Sequence, residues 1–419
     1  MILNLFNFNL GRFTGLFSAT LVAGLVLAAC SNGSDAPGEL APTSGSTRVS
    51  QPADEPSVLA AFTPSQLVGG SVGSLAPEFA GIDSWIQSDP LSITDLKGKV
   101  VLIDFWTYTC VNCIRTLPYL QEWHEKYENQ GLQIVGVHTP EFDFEKITAN
   151  VQNASDDLGV VWPVAQDNDF GTWRAYSNQF WPAKYLIDKD GVVRYTHFGE
   201  GGYDETELAI RGLLRDAGAE LGSISRNDDD GPEVIPAAYT EDPEARITRE
   251  LYGGWNRNYT TTGQYIGHAS YYDVPETTHE YVDPGDHFNQ FLFLEGVWTS
   301  GLESIEHGRA TEAYEDYIGL KFSARSANAV IDLEEGVEPF KVKVTIEDKE
   351  SGVERALTEN EAGADIAFED GETFLKVDAG RMYFVVSLPD FDDRELKFSS
   401  NSPDFALFAM TFGAYELVD

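Results

Sequence analysis

Cysteine is the residue that most constrains this chain, because it occurs only three times, at positions 30, 110 and 113. This excludes a secreted fold stapled by several disulfides, which would need many paired cysteines. Buried apolar cores must hold the chain together instead. A hydrophobic fraction of 42% and an aromatic fraction of 12% suffice for that and are too high for a disordered chain. At about 150 residues per domain, the length predicts about two to three domains.

The charge balance excludes two classes of partner. The chain has 28 Lys and Arg against 68 Asp and Glu, a formal net charge of −40 at pH 7. Binding to nucleic acid requires clustered basic side chains that neutralise phosphates, so no nucleic-acid partner is expected. Docking on anionic lipid headgroups is disfavoured for the same reason. The acidity otherwise indicates solubility rather than a particular fold.

The N-terminus has the pattern of a lipoprotein signal peptide. After Arg12, an apolar run from Leu16 to Ala29 has the length of a signal-peptide core and falls short of the ~20 residues that span a bilayer. The run ends in Leu27-Ala28-Ala29-Cys30, which resembles a bacterial lipobox. This resemblance implies cleavage before Cys30, lipidation of its thiol and anchoring on the periplasmic or cell-surface side of a bacterial membrane. A plain secretory signal that happens to contain a cysteine is the alternative.

Two stretches have a composition unsuited to a packed core. Residues 30–70 are rich in Ser, Gly, Pro, Ala and acids, which predicts a flexible linker. Residues 221–244 contain the run Asp228 to Asp230, closed by Gly231-Pro232, which predicts a second linker. The predicted organisation is a signal peptide over 1–29, a linker over 30–70, a domain over 71–220, a linker over 221–244 and a domain over 245–419. After the signal peptide, no segment is apolar for the ~18 residues that a membrane span needs.

Strand and helix patterns alternate between the two linkers. Val100–Trp106 and Leu132–Val137 are apolar, β-rich runs typical of buried strands. Lys184–Ile187 and Val192–Thr196 flank an Asp-Gly pair and predict a hairpin. Apolar residues from 117 to 127 recur at near-helical spacing. This alternation predicts a three-layer α/β unit.

The other two cysteines form a Cys-x-x-Cys motif between the first strand and the helix that follows it. The free N–H groups and positive dipole end of a helix N-terminus stabilise a thiolate on Cys110. Cys113 follows one turn later and is placed to attack a mixed disulfide and release the partner. The motif therefore predicts a redox-active Cys110–Cys113 disulfide and no other cofactor. A structural disulfide or half of a zinc site is the alternative. Zinc would need two more ligands, and no second Cys-x-x-Cys or closely spaced His pair exists, so no metal is expected.

The sequence around the motif resembles the thioredoxin superfamily, specifically its extracytoplasmic TlpA, ResA and DipZ-type branch. Val101–Trp106, Cys110–Cys113 and Pro118 match the strand, active site and first helix of that family. The stretch from residue 106 to 119 looks especially like DipZ proteins, and the resemblance covers about residues 71 to 220. It implies a three-layer α/β/α thioredoxin-like fold and a thiol:disulfide oxidoreductase.

The same resemblance assigns supporting residues. Asp104 falls where thioredoxins keep a buried Asp that accepts the proton of the resolving cysteine, and burial would raise its pKa toward the range of a base. Glu141 aligns with an active-site acid of ResA-like members. Trp181-Pro182 falls where the superfamily has its cis-proline facing the two cysteines. A capping or surface position is the alternative for Asp104, a surface position for Glu141, and an ordinary trans turn for the proline.

Beyond residue 245 the pattern changes to short alternating strands. The predicted strands are 316–324, 329–333, 341–346, 374–377, 382–388, 395–399 and 406–412. Such strands predict an all-β sandwich or jelly roll. Leu251–Gly254 and Phe408–Gly413 are similar to the carbohydrate-binding-module-like domain that follows the redox domain in DipZ proteins. The multi-spanning CcdA-type domain of that family is not recognised in this sequence, so a CcdA-like membrane protein is expected as a separate electron donor.

Two further sets of residues in this domain have a functional and a structural interpretation. Six aromatic residues could stack on sugar rings of a glycan, although aromatic residues in a sandwich more often belong to its core: Trp255, Tyr259, Tyr265, Tyr271, Tyr272 and Trp298. A polar cluster could bind a metal ion, although a solvated loop is the preferred interpretation: His279, Asp283, Asp286 and His287.

Taken together, these patterns favour an enzyme over a binding protein. The predicted function is reduction of disulfides in envelope proteins by a membrane-anchored thiol:disulfide oxidoreductase, in cytochrome c maturation or redox homeostasis. One alternative is a lipoprotein that binds envelope glycans or proteins on an inert scaffold, against which the intact motif with Asp104 and Pro182 argues. The other is a thiol peroxidase-like redoxin. It would need a Thr or Ser-Pro-x-x-Cys environment with an Arg partner, whereas this cysteine pair stands in the thioredoxin position.

Overall fold

The computed structural model describes residues 69–226, 247–258 and 263–414. The signal peptide with Cys30, nearly all of the 30–70 linker, residues 227–244 and Tyr259 lie outside the described residues. Residues 69–226 form a domain of strands and helices, here the α/β domain. Residues 247–258 and 263–414 form a second domain made mainly of strands, here the β domain. Among the described residues, none of the helices combines the length and the apolar character needed to cross a bilayer.

A six-stranded mixed sheet is the centre of the α/β domain. Its strands are β1 Ser84–Ile86, β2 Val100–Trp106, β3 Leu132–His138, β4 Val164–Gln166, β5 Ala183–Ile187 and β6 Val193–Phe198. They are arranged in the order β1-β4-β3-β2-β5-β6. The three inner strands β2, β3 and β4 are parallel, whereas β1, β5 and β6 run antiparallel to their neighbours. The predicted strands and the β5–β6 hairpin are confirmed.

Helices cover both faces of this sheet. They are α1 Val111–Tyr127, α2 Thr148–Asp157, α3 Gly171–Ala175 and α4 Tyr203–Asp216. Since side chains alternate along a strand, Leu102 and Trp106 of β2 pack with α1 and α4. Ile103 and Phe105 point to the opposite face and join the cluster that contains Trp173 of α3. The predicted three-layer α/β unit is confirmed, and β2 is its buried central strand.

The described part of the β domain forms an eleven-stranded sheet with one short α-helix, α5 Trp255–Asn258, and a 3-10 turn at Ala269–Tyr272. The strands are β7 Leu251–Tyr252, β8 Thr278–Tyr281, β9 Leu292–Ser300, β10 Ile305–His307, β11 Asp316–Ile331, β12 Phe340–Glu347, β13 Glu354–Ala356, β14 Ile366–Glu369, β15 Glu372–Val377, β16 Arg381–Ser400 and β17 Ala406–Gly413. Neighbouring strands of this sheet pair antiparallel. The all-β prediction is confirmed.

Two strands of this sheet are longer than predicted. The predicted strands 316–324 and 329–333 fall on one strand, β11, which ends at Ile331, and 382–388 and 395–399 are both parts of β16, so their division was wrong. The two long strands pair on both sides of a register shift, at which the partners jump from Ala324↔Asp392 to Ser326↔Ser387. The extra residues of β16 form a bulge that includes the exposed Pro389. A proline in a polar run resembles a turn in the sequence, but a bulge accommodates it without ending the strand.

The two domains share an apolar interface. Val330, Met382 and Phe408 of the β domain belong to the same buried cluster as the side chains around α1. The ring of Phe408 meets the rings of Phe142 and Phe144 edge to face, with centroids 5.3 and 5.0 Å apart. This part of the β sheet is therefore buried on both of its faces. The described residues all belong to one compact unit.

Candidate active site

Cys110 and Cys113 lie at the start of α1, directly after β2 and a three-residue loop. Cys110 is the N-cap residue, with φ −80° and ψ 108°, and its Sγ accepts a hydrogen bond from the N–H of Cys113 at 3.3 Å. Both residues are thiols in this structure. The sulfur of Cys110 therefore lies where the helix N-terminus favours negative charge. Its side chain is half-buried, so a partner can reach it.

Cys113 differs from Cys110 in its surroundings. It is 1% exposed. Burial raises the pKa of the Cys113 thiol well above its ordinary value, and the nearby Cys110 and Asp104 raise it further. Cys113 therefore keeps its proton until a base removes it. The pair thus combines an accessible nucleophile with a protected resolving thiol.

Asp104 forms a buried ion pair with Lys184 on the α1 side of the sheet. The two residues are register partners on β2 and β5, and the lysine Nζ lies 3.5 Å from Asp104 Oδ1. Their exposed fractions are 1% and 0%. Burial raises the pKa of the Asp104 carboxyl, and the Lys184 ammonium only partly offsets this. Asp104 thus has the burial and the raised pKa that the resemblance implies for the proton acceptor of Cys113.

The Trp181–Pro182 peptide is cis, as the resemblance implies. Trp181 Nε1 donates to the carbonyl oxygen of Thr139 at 3.1 Å, and its ring lies 4.3 Å from that of Trp173. Trp181 and Cys110 both pack at the edge of the buried cluster around α1. The loop before β5 is therefore held beside the active-site end of the sheet.

The structure places Glu141 at the interface with the β domain. Its Oε1 accepts a hydrogen bond from Tyr252 Oη at 3.0 Å and pairs with Arg257 Nη2 at 3.0 Å. The carboxylate thus meets side chains of the β domain, whereas the acid that reaches the active-site loop is four residues further on. The role that the resemblance implies for Glu141 remains a prediction.

Glu145 is that acid. Its Oε1 accepts hydrogen bonds from the hydroxyls of Thr107 at 2.6 Å and Thr109 at 2.5 Å, the residues on either side of Tyr108 in the loop that precedes Cys110. Its Oε2 accepts from the backbone N–H groups of Glu141 and Phe142. Burial raises the pKa of Glu145 to about 7. A carboxyl that titrates near neutral pH therefore lies behind the active-site loop.

Sequence reasoning missed both Lys184 and Glu145. Lys184 carried a usable signal, because a lysine inside the apolar run Ala183–Ile187 needs a buried partner. Glu145 carried none, since it belongs to the polar turn Asp143–Lys146, which looks like a solvated surface. Its burial depends on threonine hydroxyls and backbone N–H groups whose positions only the fold determines.

Most of the candidate residues of the β domain either pack in its core or form ion pairs. Trp298, Tyr271 and Tyr265 are 0%, 0% and 6% exposed, and Trp255 and Tyr272 pack half-buried against the same core, whereas Tyr259 lies outside the described residues. In the polar cluster, His287 contacts Asp283 and Glu395, each at 2.7 Å. Within residues 69–226, 247–258 and 263–414, no group of three or more His, Cys, Asp or Glu side chains has a metal-binding arrangement.

Comparisons with known proteins agree with this architecture. Residues 72–196 match the AhpC/TSA family, and residues 248–413 match the family described as thioredoxin like C-terminal domain. Protein DipZ of Mycobacterium tuberculosis is 36% identical over 261 residues, which are 61% of this chain and 35% of DipZ. The chain thus spans about a third of the length of that relative.

Two further proteins are similar to about a third of this chain. The thiol-disulfide oxidoreductase ResA of Bacillus thuringiensis is 32% identical over 144 residues, which cover 34% of this chain and 77% of ResA. A solved structure, the thioredoxin domain of a thiol-disulfide oxidoreductase from Bacteroides vulgatus, is 26% identical and covers 33% of this chain and 98% of that one, with a TM-score of 0.29. With its Cys-x-x-Cys at the start of α1, the chain belongs to the thioredoxin-like thiol-disulfide oxidoreductases, and its β domain matches the family described as thioredoxin like C-terminal domain.

Proposed function

We propose that this protein reduces disulfides of bacterial envelope proteins through the Cys110–Cys113 dithiol while anchored to a membrane by a lipid on Cys30. The observation that supports this most is the asymmetric pair, with an accessible Cys110 at a helix N-terminus and a buried Cys113 near the Asp104–Lys184 ion pair. The anchor and the extracytoplasmic location depend on the lipobox-like Leu27 to Cys30.

The first step is attack on the substrate disulfide. The Cys110 thiolate bonds to one substrate sulfur, the substrate S–S bond breaks, and the electron pair leaves on the second sulfur as a thiolate. The product is a mixed disulfide between Cys110 and the substrate. Trp181 and Pro182 flank the site where the substrate backbone has to lie, and the helix N-terminus stabilises Cys110 as a thiolate beforehand.

The second step releases the substrate. Cys113 gives its proton to the buried Asp104 carboxylate, and the resulting thiolate attacks Cys110 Sγ. The mixed disulfide breaks, the substrate leaves as a second thiolate, and the Cys110–Cys113 disulfide forms. Two electrons have passed from the dithiol to the substrate, and water supplies the protons of the substrate thiols.

Return to the dithiol requires two electrons from a donor outside this chain. A CcdA-like membrane protein is the donor class that the DipZ resemblance suggests. Cytochrome c maturation and envelope redox homeostasis are the processes in which such a reductant would act.

Two cysteine variants of the full-length protein test the mechanism. We expect Cys110→Ser to lose insulin-disulfide reduction down to the uncatalysed rate. We expect Cys113→Ser to accumulate mixed disulfides with substrate that separate on a reducing gel. Activity retained by Cys110→Ser, or no trapped species with Cys113→Ser, would overturn the mechanism.

The reduction potential of the couple tests the direction of electron flow. Equilibration with glutathione or dithiothreitol should give a value below about −250 mV, near that of thioredoxin. A value near about −120 mV would instead indicate a disulfide donor. For the anchor, Cys30→Ala should abolish incorporation of labelled fatty acid and move the protein out of the membrane fraction.

A further inference from the structure

The loop between β2 and α1 is held from behind by one side chain. Thr107 and Thr109 are 0% and 2% exposed, and both of their hydroxyls converge on Oε1 of Glu145. Thr109 is the residue directly before Cys110, so a shift of its hydroxyl is transmitted to the N-cap of α1. The backbone N–H of Cys110 also donates a hydrogen bond to the carbonyl oxygen of Thr107 at 3.3 Å. The conformation of Cys110 therefore depends on the hydrogen bonds that Glu145 accepts from Thr107 and Thr109.

Glu145 cannot simply move away from this loop. Its second oxygen is held by the N–H groups of Glu141 and Phe142. The same turn is fastened to the β domain, where Phe144 packs on Phe408 and the N–H of Asp143 donates to Glu303 Oε2 at 2.8 Å. A change in the protonation of Glu145 must therefore be absorbed by hydrogen bonds rather than by displacement of the turn.

The hydrogen bonds around Glu145 admit two arrangements. An ionised carboxylate only accepts, and its four contacts are all donors, so it is fully satisfied. A protonated carboxyl must donate once, which forces one threonine hydroxyl to turn. Thr107 has an alternative acceptor, because its Oγ1 lies 3.3 Å from His138 Nε2. Burial lowers the pKa of His138 to about 3, so this ring is neutral and accepts through Nε2 when its proton is on Nδ1.

We propose that Glu145 is a positioning residue that ties the reactivity of Cys110 to the protonation state of this buried carboxyl through Thr107 and Thr109. The ionised form places a negative charge behind the nucleophile and disfavours its thiolate, whereas the protonated form removes that charge and rearranges the loop hydroxyls. The inference rests on the proposed dithiol function and adds pH regulation to it.

Of the groups that face Glu145 directly, His138 and Tyr108 do not change charge near neutral pH. Burial also raises the pKa of Glu250 to about 7, but Glu250 is linked to this turn through Tyr252 Oη and Glu141. Burial keeps His138 neutral and raises the pKa of the adjacent Tyr108 phenol far above its ordinary range. On its own segment, Glu141 adds a negative charge that raises the pKa of Glu145 further, after burial. The nearby Lys146 is half-exposed and pairs with Asp143. Burial raises the pKa of Glu145 to about 7, so a change of pH through neutrality changes its charge.

The test is the pH profile of Cys110 alkylation in the full-length Cys113→Ser protein, from about pH 5.5 to about pH 9. We expect an extra inflection near neutral pH that Glu145→Gln removes, because glutamine reproduces the protonated carboxyl in shape and charge. We also expect Glu145→Gln to be alkylated about threefold faster above neutral pH, where the parent carries the ionised carboxylate. Asp143→Asn is the matched control, since it removes an exposed carboxylate from the same turn, and its profile should equal that of the parent.

If the Glu145→Gln protein does not fold, two variants of Thr109 test the inference instead. Thr109→Val removes the hydroxyl link and should lose the inflection, whereas Thr109→Ser keeps the hydroxyl and should restore it. An inflection that persists in Glu145→Gln or Thr109→Val would overturn the inference. If the wild-type cysteine pair exchanges normally with dithiothreitol but the Cys113→Ser protein shows no inflection, the inference is overturned and the proposed function stands. A couple that does not exchange at all would overturn the proposed function.

Discussion

Glu361 in the β domain and Glu145 in the α/β domain are both buried carboxyl groups, with 8% and 0% exposed. Both Oε atoms of Glu361 accept hydrogen bonds from the Arg355 guanidinium, at 2.8 and 2.9 Å, which lowers the pKa of Glu361 to about 2. Glu145 accepts hydrogen bonds from two threonine hydroxyls and two backbone N–H groups, none of which carries a charge, and burial raises its pKa to about 7.

Other ionisable groups in each domain show the same contrast. In the β domain, His287 pairs with two carboxylates and Asp316 with Arg309 and His307, so the pKa values of both acid partners of His287 and of Asp316 are lowered in spite of burial. In the α/β domain, burial raises the pKa values of Asp104 and Cys113. The β-domain carboxylates Asp283, Asp316 and Glu395 are kept ionised by cationic or histidine partners, whereas burial favours the protonated forms of Asp104 and Cys113 beside the active site. This difference separates a structural network from a reactive one.

The largest effect should come from breaking the buried pair in the α/β domain. Lys184→Met leaves Asp104 buried without its cation and should lower the free energy of unfolding by about 4 kcal/mol. Urea unfolding at neutral pH measures this. Adding Asp104→Asn in the same chain should recover most of the stability, since the uncompensated charge is then gone. A single variant as stable as the parent would contradict the ion pair.

Phe408→Ala tests whether the two domains are energetically separate. The ring is 8% exposed and fills the space against Phe142 and Phe144, so its loss should lower the free energy of unfolding by about 3 kcal/mol. Because the cavity lies at the interface, we expect fluorescence and far-UV circular dichroism to report one shifted transition. Two separate transitions, with only one of them shifted, would show that the domains unfold independently.

The next effect concerns pH and has opposite signs in the two domains. The folded-state pKa of Glu361 is depressed, so its contribution is fully present above about pH 4.5 and is lost as the pH falls toward 2. The folded-state pKa of Glu145 is raised, so its contribution is present below about pH 4.5 and is lost as the pH rises toward 7. Glu361→Gln should remove this pH dependence on the acidic side. It should also lower the free energy of unfolding at neutral pH by about 1–2 kcal/mol after allowance for solvent screening. Glu145→Gln should remove the pH dependence of the free energy of unfolding that Glu145 causes as the pH rises toward 7. Urea midpoints across this range measure both, and an unchanged pH dependence in either variant would contradict its assignment.

The smallest effect is expected at exposed pairs, which should behave alike in both domains. Lys146 pairs with Asp143 at 2.5 Å and Lys341 with Glu369 at 2.5 Å, all with side chains roughly half-exposed or more. Replacing either lysine by glutamine should change the free energy of unfolding by less than about 0.5 kcal/mol. A larger loss of stability for only one of the two lysine variants would mean that the electrostatic difference between the domains also includes their exposed ion pairs.

The α/β core and the dithiol could be predicted because their signals are local. The bounds of β2, the hairpin after Pro182 and the helix after Cys110 follow from short apolar runs and one motif. The long strands β11 and β16 could not be predicted as continuous, because a bulge and a turn have the same composition. Glu145 was not recognised because Thr107 and Thr109 lie 38 and 36 residues away in the sequence, and no periodicity connects them to it. Residues that act through tertiary hydrogen bonds leave little trace in a single sequence.

The packing of Phe408 on Phe142 and Phe144 has a consequence for how genetic data on this protein should be interpreted. In a saturation scan scored by activity, substitutions at β17 would register as harmful although β17 contributes no residue to the dithiol. The harmful positions would form one continuous patch that crosses the border between the domains. A functional map drawn from such scores would extend the active site too far. Scoring abundance and activity in parallel would separate positions that support the turn from those that perform the exchange.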